Sequence, residues 1–362
     1  MLGRPQLLRR FTIGVRRFAA GQTATSDGPP TGTAYNEGAM HYRKLGRTNF
    51  EVSALGYGAW GIGGKQWLGS GDQSAMSALQ AALHNGINFF DTALAYGDGH
   101  SESLIGRLKR ESGTAFYIAT KVPPKNQLWP ARPGIPAEKV FPRDYIVECT
   151  NRSLQNLGVE AIDLQQLHVW NPEWINSDEW RRGFEDIKTA GKVRAVGVSI
   201  NDHQPDSALE LIKTGLIDTV QVIYNVFDQS PESNLFPLCR EKNVGVIARV
   251  PFDEGSLAGQ VNESTQFPDG DFRNLYFSGN RKKEVHDRVR AICEELEVPM
   301  EHIAEIALRF CISDPAVSSA IPGMRRVERV QQNAAAIGQG PLPPNTLEAL
   351  RRHAWVRNFY PA

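Results

Sequence analysis

The chain has 362 residues, enough for two small domains or for one large unit such as an α/β barrel of about 250 residues. Forty Lys and Arg balance forty Asp and Glu, which excludes the one-signed field of a dedicated nucleic-acid binder and favours a small neutral or mixed substrate. No apolar run approaches the roughly 18 residues of a membrane span, and Cys149, Cys239, Cys293 and Cys311 stand far apart without a CxxC, as reduced core thiols do.

Arg4, Arg9, Arg10, Arg16 and Arg17 all precede the first acid, Asp27. On a helical projection Leu7, Leu8, Phe11, Val15 and Phe18 share one face and the arginines from Arg9 to Arg17 fall on the other. That pattern predicts an amphipathic mitochondrial presequence over Met1 to about Thr25, which with a disordered linker makes up residues 1–40. A disordered basic tail, a true start near Met40, a plastid address and plain cytosol are the alternatives. Ser26 to Gly38, rich in Gly, Pro, Thr and Ser, reads as a linker.

After the linker, Tyr42 to Trp60 predicts a hairpin turning around Thr48 and Asn49, then a first strand over Ala54 to Tyr57. Gly56, Gly58 and Gly61 fit GxGxxG, yet a glycine-rich loop follows where the dinucleotide fingerprint needs an immediate helix, so a Rossmann reading fails. From Ser74 the chain alternates. Strands are predicted at Asn88–Thr92, Phe116–Val122, Ile162–His168, Val193–Ser199, Val220–Tyr224, Val244–Val250 and Ser318–Pro322. Helices are predicted at Ser101–Leu108, Asp178–Ala190, Ser207–Lys213, Ser233–Glu241 and Arg325–Ile337, with others on the stripes of Met76, Ile146, Val285 and Ile303. Gly255 to Asn280 breaks the rhythm and reads as a functional lid. The alternation predicts a single (β/α)8 TIM barrel over residues 41–340, with an N-terminal β-hairpin plug and a helical tail over 341–362, its helix at Asn345–Arg357.

Chemistry gathers at three predicted strand ends. Asp91 closes one strand with Tyr96 on the loop beyond it, Lys121 closes the next, and His168 the one after. Singly these are a turn cap, a loop aromatic, a solvated lysine and a core histidine. On neighbouring strands, the lysine and the carboxylate are expected to lower the phenol's pKa from about 10 and let it exchange a proton. Trp60, Trp67, Trp129, Trp170 and Trp174 lie on nearby loops and are expected to wall an apolar pocket.

In order and setting, Asp91, Tyr96, Lys121 and His168 resemble the tetrad of the aldo-keto reductase superfamily, and the resemblance runs from about Tyr42 to Ala336. It implies a barrel binding NADPH in preference to NADH without a Rossmann domain, and reduction of an aldehyde or ketone. Tyr96 would be the proton donor, Lys121 and Asp91 would tune it, and His168 would orient the carbonyl oxygen. The resemblance also assigns cofactor contacts. Ser199 and Gln221 would hold the nicotinamide carboxamide. Phe252 would add a further contact, and Arg329, Gln332 and Asn333 would grip the adenosine end. Three positions depart from the family. Ile200 separates Ser199 from Asn201, so the carboxamide would have one fewer partner. Arg249 replaces a stacking tyrosine and would approach the cofactor or pair with Asp253 or Glu254. Gly323 replaces a lysine, whose charge Arg325 and Arg326 would supply.

Aldehyde, ketone, sugar and quinone substrates remain open. The runner-up function is a regulatory subunit resembling potassium-channel β subunits, which an organelle presequence disfavours. A metal-dependent hydrolase ranks below both, because Asp91 and His168 have no further ligand at suitable spacing.

Overall fold

The computed structural model describes residues 38–64, 71–355 and 357–360. The presequence helix, Trp67 and all of the linker but Gly38 lie outside the described residues.

Strands β1 (Tyr42–Lys44) and β2 (Glu51–Ser53) form the expected antiparallel hairpin. Its turn is a 3-10 segment, Gly46–Thr48, left through Asn49 at φ 61°, a left-handed conformation that asparagine tolerates. Next come β3 (Tyr57–Gly58), α1 (Asp72–His84), β4 (Phe89–Asp91), α2 (His100–Ser112), β5 (Tyr117–Val122), α3 (Ala137–Val140), α4 (Arg143–Leu157) and β6 (Ile162–Leu167). The chain continues through α5 (Asp178–Thr189), β7 (Val193–Ser199), α6 (Leu209–Thr214), β8 (Thr219–Ile223), α7 (Leu235–Lys242) and β9 (Gly245–Arg249). It ends with α8 (Arg273–Tyr276), α9 (Arg281–Glu295), α10 (Ile303–Ser313), β10 (Val317–Ala320), α11 (Val327–Gly338) and α12 (Pro344–Arg351).

Strands β3 to β10 lie side by side in chain order, each pair parallel. Parallel bridges Leu55–Ala320 and Gly58–Gly323 join the first strand to the last, so the eight close into a (β/α)8 barrel. Three expectations change in detail. The first strand is Tyr57–Gly58, because the chain at Leu55 contributes only a bridge. The predicted lid contains α8, and Tyr276 and Phe277 are buried there. The last helix stops at Arg351, beyond which the Trp355 N–H donates to the Phe227 carbonyl at 2.9 Å.

Alternation along the strands explains what fills the barrel. Side chains on a strand point to opposite faces in turn. Phe89, Ala119, Leu164, Ala195 and Ile247 form one buried cluster with Leu45, Val52 and Ile321, with Phe50 of the hairpin turn packed against it. That cluster is the plugged floor of the barrel. Two residues further along each strand, on the same face, stand Asp91, Lys121, Gln166, Gly197 and Arg249. Ser199 lies two residues beyond Gly197, and Gln221 lies opposite it on β8. The period of two thus puts an apolar floor beneath a polar mouth.

Gly197 marks the tightest point. A Cβ there would sit 2.1 Å from Thr219 Oγ1 and 2.7 Å from the Thr219 carbonyl, so no side chain fits. Gly197→Ala is expected to destabilise the protein by about 1–3 kcal/mol, through overpacking between β7 and β8. A lowered urea midpoint with unchanged slope reads this out, and an unmoved midpoint would contradict it.

Candidate active site

Asp91 and Lys121, at the ends of adjacent strands, meet in an ion pair with Lys121 Nζ 2.5 Å from Asp91 Oδ1. The lysine is fully buried and the aspartate 2 % exposed. Lys121 Nζ also donates to the Thr92 carbonyl at 2.8 Å. The other carboxylate oxygen, Asp91 Oδ2, accepts from Gln221 Nε2 at 2.8 Å and from Gln166 Nε2 at 3.4 Å, and Gln221 Nε2 lies 3.4 Å from Gln166 Oε1. Two amides and an ammonium therefore share one buried carboxylate, as a charge removed from water requires. Burial lowers the Lys121 ammonium below its ordinary range, and Asp91 opposes that shift.

Tyr96 lies on the loop after β4. Lys121 Nζ stands over its ring, 5.2 Å from the centroid. The His168 ring meets Tyr96 edge-on with centroids 5.6 Å apart, and Trp129 meets His168 in the same manner at 5.8 Å. Trp60 borders Tyr96 at 6.4 Å and is backed by Phe272 of the predicted lid at 5.4 Å. All four candidate residues therefore share one end of the barrel. Burial, then the neighbouring lysine and Arg249, holds His168 well below its usual imidazole range, so the ring is neutral, and its Nδ1 is buried without a hydrogen-bond partner.

The expected lowering of the Tyr96 pKa is reversed. Burial and then the Asp91 carboxylate push the phenol above its ordinary value, with only Arg249 pulling the other way. Lys121 stabilises a phenolate less than sequence reasoning supposed, because its charge is matched by Asp91 at 2.5 Å. Tyr96 consequently keeps its proton.

The tryptophan wall needs a second correction. Trp60 and Trp129 face the tetrad, but Trp170 and Trp174 are buried away from it, packing edge-on against each other and, from Trp170, against Trp180. Their indole N–H groups donate to the Ser207 and Ile135 carbonyls, which fixes them as core. Arg249 is a third correction. It donates from Nη2 to Asp202 Oδ1 at 2.7 Å and to the Ile200 carbonyl at 3.0 Å, while Asp253 pairs with Arg357 and Glu254 with the Tyr360 hydroxyl.

The candidate cofactor residues divide. Ser199 and Gln221 are buried side by side at the ends of β7 and β8, in register. Asn201 bonds the Ala131 backbone through both amide atoms, accepting from its N–H and donating to its carbonyl, each at 3.1 Å. Phe252 is half-buried beyond β9. Beyond β10, Arg325 is half-buried and Arg326 exposed, and on α11 Arg329 donates to Gln332 at 2.9 Å while Asn333 is buried. A Cβ on Gly61 would lie 3.0 Å from Arg325 Cδ, so this glycine leaves room for the arginine stem. Burial and then Arg273 lower Arg325 below its ordinary range, with Asp271 opposing.

Gln166 and Asp202, and the pairing of Glu254 with Tyr360, were not singled out from sequence. Gln166 was within reach, since it lies two residues before His168 on the same strand face; the others join segments far apart in the chain. Among the described residues no cluster of His, Cys, Asp and Glu suits a metal ion, and no helix is long and apolar enough to cross a membrane.

Residues 54–354 match the aldo/keto reductase family. The aldo-keto reductase YhdN of Bacillus subtilis is 28% identical over 79% of this chain and 86% of its own length. The NADH-specific methylglyoxal reductase of Escherichia coli is 29% identical over 81% and 92%. Among solved structures, the holo form of the Bacillus halodurans aldo-keto reductase AKR11C1 superposes with a TM-score of 0.69 at 26% identity, covering 88% of this chain and 97% of that one. With a closed barrel and a family match that spans it, the chain belongs to the aldo/keto reductase family of nicotinamide-dependent oxidoreductases.

Proposed function

We propose that the protein reduces an aldehyde or ketone to an alcohol, with NADPH as hydride source and Tyr96 as proton donor. The observation that carries this reading is the buried Asp91–Lys121 pair lying beneath a protonated tyrosine and a neutral histidine in one barrel mouth. When bound, the nicotinamide supplies the hydride to the carbonyl carbon. Every other part falls to the chain's own side chains.

His168, neutral and edge-on to Tyr96, orients the carbonyl oxygen toward the phenol. Tyr96 gives its proton to that oxygen as negative charge builds there. The phenolate left behind faces the Lys121 ammonium, which stabilises the charge only as it forms. Gln221 and Gln166 keep Asp91 in place, and Asp91 keeps Lys121 charged despite its burial. Trp60 and Trp129 flank the entrance and help exclude water.

For the cofactor, Ser199 and the Oε1 of Gln221 would receive the carboxamide, and Phe252 would contact the nicotinamide end. Arg325, Arg326, Arg329, Gln332 and Asn333 would hold the adenosine end, with the two adjacent guanidiniums favouring a nucleotide that carries the additional phosphate. The relative named for NADH specificity makes this preference the point to measure. Quenching of tryptophan fluorescence by each nucleotide, with protein beginning near Met40, tests binding directly. Neutral replacements of Arg325 and Arg326 are expected to weaken NADPH roughly tenfold to a hundredfold, the worth of one charge-assisted hydrogen bond, and NADH hardly at all. Equal losses would overturn the phosphate assignment. Import into mitochondria is proposed from the basic amphipathic stretch before Asp27, and a fluorescent fusion of the first forty residues tests it.

A further inference from the structure

The turn that follows β9 is strained. Val250, Asp253 and Glu254 take φ values of 57°, 48° and 55°, and Gly255 takes 107°. A left-handed conformation is unfavourable for any residue with a Cβ and most of all for a β-branched valine. Gly255 takes its angle without penalty, but the three other residues persist in theirs only where the surroundings hold them.

The restraints come from three places. Asn225 Nδ2 donates to the Val250 carbonyl at 3.0 Å, and the Tyr276 hydroxyl donates to Asp253 Oδ1 at 3.2 Å. The remaining two come from the segment after α12. Arg357 pairs with Asp253 where both side chains are buried, and the Tyr360 hydroxyl donates to Glu254 Oε1 at 2.5 Å. That segment is itself anchored. The Arg357 guanidinium lies against the rings of both Trp355 and Phe359, 4.5 and 4.4 Å from their centroids, and Arg281 donates to the Phe359 carbonyl at 3.2 Å. Tyr360 stacks at 6.1 Å on Phe272, the ring that backs Trp60 beside Tyr96.

The turn adjoins the site. It starts immediately after Arg249, whose charge acts on Tyr96 and His168, and it carries Glu254, whose charge also reaches Tyr96. Buried among Asp253, Asp202 and Arg249, the Glu254 carboxyl is pushed up to about 7, chiefly by burial, with the Tyr360 hydroxyl opposing. Nothing in the carbonyl-reduction reading uses Arg357 or Tyr360.

We propose that Arg357 and Tyr360 are positioning residues of the active site: they hold the turn after β9 in its left-handed conformation and thereby fix Arg249 at the barrel mouth. Its functional consequence rests on the nicotinamide-dependent reading above, whereas its structural consequence does not. The test uses the full chain carrying Tyr360→Phe, Arg357→Met or Arg357→Lys, with Arg249→Ala as a partner variant.

Hydrogen exchange of peptides covering residues 247–258 is measured first. Tyr360→Phe and Arg357→Met are expected to speed it about tenfold, the equivalent of one lost net hydrogen bond, without changing exchange in β5 to β7. Arg357→Lys is expected to restore part of the protection. NADPH affinity then gives the functional arm. Tyr360→Phe is expected to weaken it about fivefold in the wild-type background but less than twofold on top of Arg249→Ala, because residues acting through one another are not additive. Unchanged exchange in the soluble, folded Tyr360→Phe protein would overturn the proposal, and additive losses would show that the segment does not act through Arg249. If the wild type binds neither nucleotide, the functional reading fails, and exchange at residues 247–258 still decides whether the segment holds the turn.

Discussion

Tyr96→Phe is expected to reduce turnover by roughly 100- to 10,000-fold, the usual contribution of a positioned general acid, while leaving nucleotide affinity within about twofold. The ring, and with it the packing against Trp60 and His168, survives the change; only the proton is lost. Parallel measurements of NADPH oxidation and of fluorescence quenching separate the two effects. Retained turnover would remove Tyr96 from the donor role, and lost binding would recast it as a binding residue. The same geometry fixes a pH dependence. Since burial and Asp91 raise the phenol's pKa, the donor form persists beyond the ordinary tyrosine value of about 10. No alkaline limb from Tyr96 should appear below that value in the reductive direction, and one near neutrality would mean that another group loads the phenol.

Much of this site was legible because a strand has a period of two. Asp91, Lys121 and His168 could be placed at strand ends from the apolar runs before them, and parallel neighbours then had to bring them together. What alternation does not carry is the state of the groups once together. The sign of the Tyr96 shift is set first by the burial of the phenol and then by the Asp91 carboxylate, and neither the depth of a loop side chain nor its distance from a charge has a sequence signature. Loop aromatics were ambiguous for a similar reason. Trp129 and Trp170 both follow barrel strands, yet the first stands 43 % exposed beside His168 while the second is fully buried. The Arg249 partner was misjudged because nearness in sequence favoured Asp253 and Glu254, whereas those carboxylates are claimed by Arg357 and Tyr360, about a hundred residues on. Loop-to-tail pairings of this kind follow from closure of the barrel and from the path of the last helix, neither of which local pattern specifies.

Breaking the pair beneath Tyr96 is expected to unfold the protein more readily than any surface change. Lys121→Met leaves Asp91 as a buried carboxylate with only neutral amides from Gln221 and Gln166, and Asp91→Asn leaves Lys121 with no carboxylate beside it. Each single variant should cost roughly 3–5 kcal/mol, the usual penalty for an uncompensated buried charge. The double variant removes both charges and should recover most of that loss, since the desolvation of two ions disappears with their attraction. Denaturant midpoints of the four proteins read the cycle, and a double variant as unstable as the sum of the singles would show that the two groups are not energetically coupled. Catalysis should behave differently. The double variant should stay inactive although it folds, because the ammonium that faces the forming phenolate is gone. Recovered stability with lost turnover would assign the pair a chemical role apart from its packing, and recovery of both would leave Tyr96 to work without it.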